Sequence, residues 1–180
     1  MLRLMADFLP SVRPAEATEL AMINDIVSAA VLSWPMAERL KRIALNVLSY
    51  DAVDLREFEV LVAEIGGQPA AVAAWDAATA VDAVGGARGA LLHGLYVRPQ
   101  AQRAGLGSLL QRRVAERAAA LGYHGLVVKA ERVSVGYFER SGYARLDQGN
   151  PFGIDYPYLF WHPLTAGDRP GARPVREAST

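Results

Sequence analysis

A glycine turn between a short apolar run and a long amphipathic run constrains this chain more than any other feature. Residues 90–97 (ALLHGLYV) predict a strand, and residues 106–121 carry apolar side chains at helical spacing. Gly105 and Gly107 lie at the junction between the predicted strand and the start of the predicted helix. Because glycine has no side chain, an anionic ligand can reach the backbone N–H groups that a helix start leaves unpaired. The turn therefore predicts a phosphate cradle.

Two common phosphate motifs do not fit this turn. A P-loop requires Lys and then Ser or Thr after its last glycine, whereas Ser108-Leu109 follow Gly107. A dinucleotide fingerprint requires a third glycine where Leu110 stands. A different phosphate ligand, or a structural turn with no ligand, remains open at this point.

The rest of the chain predicts an α/β (α+β) fold around a mixed sheet. Helices are predicted over 15–34, 36–49 and 134–141, and the apolar face of the second consists of Met36, Leu40, Ile43, Val47 and Leu48. Strands are predicted over 58–65, 69–75 and 125–130 and near 143–146 and 156–162, with a loop over 76–89. Gly66-Gly67-Gln68 predicts a hairpin turn. We expect one domain over 1–164 and a disordered tail over 165–180.

Composition narrows the function. A formal net charge of zero argues against a nucleic-acid binder. The absence of cysteine excludes disulfides, thiolate zinc sites and cysteine nucleophiles, and the three histidines are too dispersed to predict a metal site. No apolar stretch is long enough for a membrane span or a signal peptide, so we expect a cytoplasmic protein with no membrane partner.

The pattern Gln102-x-x-Gly105-x-Gly107 resembles the acetyl-CoA signature of the GNAT family, Arg/Gln-x-x-Gly-x-Gly/Ala. LLHGLYVRPQ before it is similar to the family's fourth strand, and YHGLVVKAERVSVGYFERSGYARL after it to the fifth strand, the next helix and the sixth strand. The resemblance runs over roughly residues 12–163 and is specific over 91–146. It implies a mostly antiparallel sheet flanked by helices, splayed fourth and fifth strands, acetyl-CoA as co-substrate and no metal.

The same resemblance implies where the cofactor binds. The pyrophosphate would contact the N–H groups of 103–108, and the pantetheine arm would pair with the backbone of 95–97. The implied cofactor-binding residues are Leu95, Tyr96, Val97, Gln102, Arg103, Ala104, Gly105, Leu106, Gly107, Ser108 and Phe138.

His93 is the candidate general base, since it stands on the strand where the family often carries a carboxylate. A histidine with a pKa near 6.5 is mostly neutral at pH 7 and can accept a proton. Strand alternation predicts that it shares a face with Leu91, Leu95 and Val97. The alternatives are a structural histidine, or a base among Glu57, Glu59 and Asp76.

The general acid departs from the family pattern. The family often places a tyrosine four residues before the glycine that follows this helix, and here Phe138 stands four before Gly142. Tyr137 is adjacent and becomes the candidate acid; otherwise it packs beside the pantetheine or in the core, and water protonates the thiolate. The family's strand bulge implies an oxyanion site at the N–H groups near Tyr96 and Val97.

The leading hypothesis is an acetyl-CoA-dependent N-acetyltransferase acting on a primary amine of a small molecule or peptide, by direct attack in a ternary complex. One alternative is a catalytically weak CoA-binding regulatory or interaction protein, which Phe138 keeps open; another is a purely structural domain. Candidate acceptor-site residues, most of them expected in the core or in an exposed acidic loop, are Trp34, Tyr50, Asp51, Asp54, Trp75, Tyr156, Tyr158, Phe160 and Trp161. The oligomeric state stays open, a homodimer included.

Overall fold

The structure is a computed structural model that describes residues 9–82, 84–146, 158–165 and 168. Within these residues one sheet has the strands β1 (Ser11–Pro14), β2 (Glu59–Ile65), β3 (Gln68–Asp82), β4 (Arg88–Val97), β5 (Gly125–Ala130), β6 (Ala144–Arg145) and β7 (Tyr158–Pro163), in the spatial order β1-β2-β3-β4-β5-β7-β6. The α-helices are α1 (Leu20–Leu32), α2 (Glu38–Leu48), α3 (Asp54–Glu57), α4 (Leu106–Ala120) and α5 (Val135–Arg140). Only β4 and β5 pair in parallel. The predicted α/β class with a mixed, mostly antiparallel sheet is confirmed.

Helices cover both faces of the sheet. On one face α4 buries side chains at helical spacing, namely Leu106, Leu110, Val114 and Ala118. On the other face α1 does the same with Ile23, Ile26, Val27 and Val31. Both stripes follow the spacing seen in the sequence. The helix α4 packs on both β4 and β5, and α1 packs on β3 and β4, so β4 is covered on both faces.

The predicted hairpin between β2 and β3 is confirmed. Gly66 and Gly67 have φ values of 58° and 72°, and Ile65 pairs with Gln68 across them. A two-residue turn with positive φ at both positions matches the twist of the flanking strands, and glycine adopts it at little cost.

The predicted loop over 76–89 is wrong in extent. β3 continues to Asp82 and β4 begins at Arg88, because the ladder is interrupted after Trp75 and resumes where Ala80 pairs with Ala90. The interruption is held by the Asp76 carboxylate, which accepts the N–H groups of Ala78 and Thr79 at 2.8 Å each. Cross-strand pairing here overrides a local composition of Ala, Gly and Asp that disfavours strands.

The strand β1 was not predicted from the sequence. This four-residue strand pairs with β2, and Arg13 fixes it by ion pairs to Glu19 at 2.7 Å and to Glu64 at 2.8 Å. Four residues are too few to show the alternation of apolar and polar side chains that predicts a strand, and the ion pairs of Arg13 form only in the folded chain.

The predicted apolar face of the second helix is wrong for three of its five residues, while Met36 and Leu48 are half-buried. Leu40, Ile43 and Val47 are 52%, 50% and 75% exposed. Leu48 packs against the core as predicted, together with Ala44 and Leu45, which lie outside the predicted face. The helix α2 is therefore rotated from the orientation that its apolar stripe predicts. The predicted tail over 165–180, apart from 165 and 168, lies outside the described residues.

Candidate active site

β4 and β5 form a wedge-shaped opening. They pair from Gly89 with Gly125 up to Leu92 with Val128, and the pairing stops there. A cavity of about 630 Å³ lies at the open end, between the strand ends and the start of α4. The predicted splay of the two strands is thereby confirmed. Every predicted catalytic or cofactor-binding residue lines this cavity except Ala104.

The start of α4 presents unpaired backbone donors to the cavity. Gly105 is the N-cap with φ of +79°, and no side chain caps the helix. The first N–H groups of an uncapped helix have no intrahelical acceptor, and the helix dipole adds about half a positive charge there. A Cβ added at Gly105 would meet no atom within 4 Å, so the space above it is open. This geometry fits an anionic group.

Arg103 has a left-handed backbone in the same turn. Its φ of +65° is the one positive value at a non-glycine position among the described residues. Such a conformation costs a side-chain-bearing residue roughly 1 kcal/mol or more. The strained backbone sets the path of the chain into Gly105 and α4.

The edge of β4 that faces the wedge carries alternate backbone groups. Arg98 N–H donates to Ala70 O at 2.9 Å, so in this antiparallel pair residue 98, and Tyr96 two residues before it, point their backbone groups towards β3. The backbone groups of Leu95 and Val97 consequently face the wedge. An extended ligand in the wedge would find its partners at these two residues, and the Tyr96 N–H is directed away.

His93 lies in a β-bulge. Gly94 pairs with Ala74 and Leu92 with Trp75, so His93 is the extra residue between them. The bulge shifts the alternation, and Leu95 and Val97 pack with Leu92 on the α4 side of the sheet. The expectation that His93 shares a face with Leu95 and Val97 is therefore wrong, and the bulge lies three residues before the position implied for it.

The His93 ring stacks on Phe58, with ring centroids 4.0 Å apart and planes inclined by 26°. Partial burial lowers the pKa of His93 below its ordinary value. The carboxylates of Asp76 and Asp54 oppose that shift, and the Lys129 ammonium adds to it. The imidazole is therefore neutral at pH 7 and able to accept a proton.

The Tyr137 hydroxyl lies over the start of α4. A Cβ placed on Gly107 would stand 2.7 Å from this oxygen, so the missing side chain of Gly107 makes room for the phenol. Tyr137 Oη also donates a hydrogen bond to Gln111 Oε1 at 3.1 Å. Burial raises the pKa of Tyr137, while the hydroxyls of Ser108 and Ser141 oppose the rise. The phenol is therefore protonated at neutral pH.

Phe138 lines the cavity but belongs mainly to the core. It is 4% exposed, and its ring lies 5.3 Å from that of Tyr143 and 5.9 Å from that of Phe160. Of the two neighbouring aromatics, Tyr137 thus brings the polar group to the helix start, and Phe138 anchors α5.

Only one of the candidate acceptor residues that the structure describes lines the cavity. Trp34 lines the cavity, whereas Tyr50, Trp75 and Phe160 are buried core residues and Asp51 and Asp54 cap the turn that leads into α3. Tyr158 and Trp161 lie half-buried on β7, and Tyr156 lies outside the described residues. Among the rival bases, neither Glu57 nor Glu59 lines the cavity, and Glu59 is paired with Arg117.

Three residues at the site were not predicted from the sequence. Phe58 supports the His93 ring, Lys129 lines the cavity on the β5 side, and Gln111 contacts Tyr137. Only Gln111 left a signal: it is a polar residue one helical turn beyond Gly107, beside the apolar stripe of α4.

Among the described residues no cluster of His, Asp and Glu could hold a metal ion, and no helix is long and apolar enough to span a membrane.

Comparison with solved structures supports the same fold. A GCN5-related N-acetyltransferase from Rhodopseudomonas palustris is 18% identical with a TM-score of 0.68, over 86% of this chain and 96% of that one. A GNAT acetyltransferase from Brucella melitensis in complex with acetyl-CoA is 20% identical with a TM-score of 0.59, over 88% of this chain and 90% of that one. The ribosomal-protein-S18-alanine N-acetyltransferase from Escherichia coli is 16% identical with a TM-score of 0.57, over 87% of this chain and 95% of that one. At these identities the likeness shows the fold alone.

Comparison with families of sequences goes further. No curated protein matches the chain. Residues 38–153, well over half of the chain, match the family model described as the acetyltransferase (GNAT) domain. The chain therefore belongs to the GNAT family of acetyltransferases, enzymes that use acetyl-CoA as the acetyl donor.

Proposed function

We propose that this protein transfers the acetyl group of acetyl-CoA to a primary amine of a small molecule or peptide, by direct attack in a ternary complex. The observation that carries the proposal is the convergence of three groups on one cavity: the uncapped start of α4, the His93 ring and the Tyr137 hydroxyl. Acetyl-CoA would supply an activated thioester, and the chain would supply binding, orientation and proton transfer.

The cofactor would be held by backbone groups. The N–H groups of Leu106, Gly107 and Ser108 suit its pyrophosphate, because they are the unpaired donors at the positive end of the α4 dipole. The wedge-facing backbone of Leu95 and Val97 suits the extended pantetheine arm. Gln102, Arg103 and Phe138 complete the lining on this side. Because backbone groups make most of these contacts, we expect substitution of most side chains along the turn to leave cofactor binding intact.

Two side chains would move the protons. An alkylammonium with a pKa near 10.4 must lose a proton before it can attack, and the neutral His93 imidazole can accept it, directly or through water. Tyr137, protonated at neutral pH, can donate to the departing sulfur. The Val97 N–H, which faces the wedge, can stabilise the oxyanion. The Tyr96 N–H cannot, since it is directed towards β3.

The acceptor would approach on the α1 side of the sheet. His93 and Phe58 lie on that side, and the end of α1 contributes Ser33 and Trp34 to the cavity wall. The wall there is largely apolar, which favours an amine attached to an apolar or aromatic body.

Thiol release from acetyl-CoA tests the proposal, with panels of alkylamines, aralkylamines, amino acids and peptides. The chain has no cysteine, so a thiol reagent reports free CoA with no background from the protein. We expect amine-dependent release of one thiol per acetylated amine, and a kcat reduced about 10²-fold in Tyr137→Phe with acetyl-CoA affinity changed less than about twofold. Acetyl-CoA binding without turnover on any amine would favour the regulatory alternative.

A further inference from the structure

Gln111 occupies an unusual position on α4. It is 8% exposed, and among the described residues it is the one buried side chain that is neither hydrophobic nor aromatic. It lies four residues after Gly107, so both residues share one helix face, and the Tyr137 ring reaches across that face. Among the described residues, the Tyr137 hydroxyl is the one polar partner of the Gln111 side chain.

The Gln111 amide is only half satisfied. Its Oε1 accepts the Tyr137 hydroxyl at 3.1 Å, while its Nε2 is buried and has no partner among the described residues. A buried N–H donor without an acceptor is costly, so the position of this one calls for an explanation. The two ends of a side-chain amide are nearly identical in shape, so a half-turn exchanges Oε1 and Nε2 without other movement.

The two amide orientations treat the phenol differently. With Oε1 towards Tyr137, the phenol proton is directed at Gln111 and away from the cavity. With Nε2 towards Tyr137, the amide donates to the phenol oxygen and the proton is free to point into the cavity. An N–H donor also stabilises a phenolate more than a neutral phenol, because hydrogen bonds to charged groups are the stronger ones.

We propose that Gln111 is a positioning residue that holds the Tyr137 hydroxyl over Gly107 and, through Nε2, supports that oxygen while it gives up its proton. As the C–S bond breaks and its electron pair goes to sulfur, the Tyr137 O–H bond breaks and an S–H bond forms. The resulting phenolate accepts the Gln111 N–H and then takes a proton from water. The inference rests on the proposed role of Tyr137.

Other groups near the phenol do not replace Gln111. Ser108 on α4 and Ser141 after α5 oppose the burial-induced rise in the Tyr137 pKa, but both can be donors or acceptors. Tyr143 is a buried phenol that does not line the cavity, and Arg140 lines it. Gln111 differs from the serines because the rest of its amide has no other polar partner among the described residues.

The test compares Gln111→Met, which keeps the size and removes both hydrogen bonds, with Gln111→Glu, which when ionised can only accept. The exposed Arg112→Met on the same helix is the matched control. Each variant is made in the unmodified chain and in Tyr137→Phe, and kcat and the KM for acetyl-CoA are measured with the best amine of the panel. We expect Gln111→Met to fold at least as stably, since it removes an unsatisfied polar atom.

The expected result is a kcat about tenfold lower in Gln111→Met, and at least as low in Gln111→Glu, with the KM for acetyl-CoA changed less than about twofold. In Tyr137→Phe the same Gln111→Met change should alter kcat less than about twofold, because the supported group is gone. An equal loss in both backgrounds would show a merely structural role and overturn the inference. So would full kcat in Gln111→Met.

A measurement without turnover separates this inference from the proposed function. The Tyr137 pKa is followed by the ¹³C shift of its ring Cζ in tyrosine-labelled protein, assigned with Tyr137→Phe. Loss of the Nε2 donor should raise the pKa further in Gln111→Met, and Arg112→Met should leave it unchanged. An unchanged pKa in Gln111→Met overturns the inference even if acetyl transfer is found. A raised pKa supports it even before an acceptor is known.

Discussion

The hydroxyl of Tyr137 fills the space that a side chain on Gly107 would require, since a Cβ there would stand 2.7 Å from the oxygen and 3.3 Å from the ring carbon that bears it. The second glycine of the turn thus has a role apart from ligand access: it lets the phenol reach the α4 start. Gly105, with open space above it and φ of +79°, is the glycine that the backbone path requires.

Gly107→Ala should therefore give opposite stability changes in two backgrounds. In the unmodified chain the added methyl forces the phenol away, and overpacking of this kind costs about 1–3 kcal/mol in the free energy of unfolding. In Tyr137→Phe the hydroxyl is absent, and the better helix propensity of alanine should offset the remaining crowding, giving a gain of up to about 1 kcal/mol. Denaturant unfolding of the four proteins measures the difference; equal changes in both backgrounds would contradict the contact.

The pH dependence of kcat/KM should report His93. A base works in its neutral form, so activity should fall as the pH drops through the His93 pKa, which lies below 6.5. His93→Ala should lower kcat/KM most below the pKa of the amine, and the loss should shrink as the free amine becomes abundant at high pH.

Substitutions at two charged neighbours of His93 should shift the acidic limb of the pH profile, the range in which kcat/KM falls with pH, in opposite directions. Lys129→Met removes a positive charge that lowers the His93 pKa, so the limb should shift to higher pH. Asp76→Asn removes a negative charge that raises it, and the limb should shift to lower pH while Oδ1 still accepts the loop N–H groups. Rate profiles from pH 5 to 9 measure both shifts. Shifts of the same sign, or none, would remove His93 as the titrating group.

The first strand should be sensitive to acid through Glu19. Hydrogen bonds from Arg13, and from the Glu16 N–H, lower the pKa of Glu19 to about 2. A lowered carboxyl pKa contributes stability above the unfolded-state value, and that stability is lost as the pH falls towards about 2. Glu19→Gln should cost about 0.5–1 kcal/mol at pH 7, and the difference should close in acid. Denaturant titrations at pH 7 and pH 3 test this, with the more exposed Glu38→Gln as control.

Local rules predicted the parts of the site that local sequence determines. The α4 start, Gly105 and the strand before it follow from periodicity and glycine conformation, and the structure has them at the predicted residues. Their relation to the cofactor came from the family resemblance and not from the periodicity.

The remaining features depend on contacts distant in sequence. The bulge at His93 arises because the register between β3 and β4 shifts by one residue there. Nothing within 90–97 reveals that shift. Tyr137 reaches Gly107 because of how α5 packs against α4, thirty residues away in the chain. A rule based on the single position of Phe138 could not capture that orientation.

Calorimetric titration with acetyl-CoA tests the central claim most directly, that the wedge and the α4 start hold this cofactor. The matched pair is Gly105→Val and Gly122→Val, because both glycines have φ near +79° with open space above them and lie at opposite ends of α4. We predict one binding site in the unmodified chain, retained in Gly122→Val and lost in Gly105→Val. At a hundred times the dissociation constant, binding should also stabilise the fold by about 2.7 kcal/mol. No binding by the unmodified chain, or equal binding by the two variants, would contradict the account.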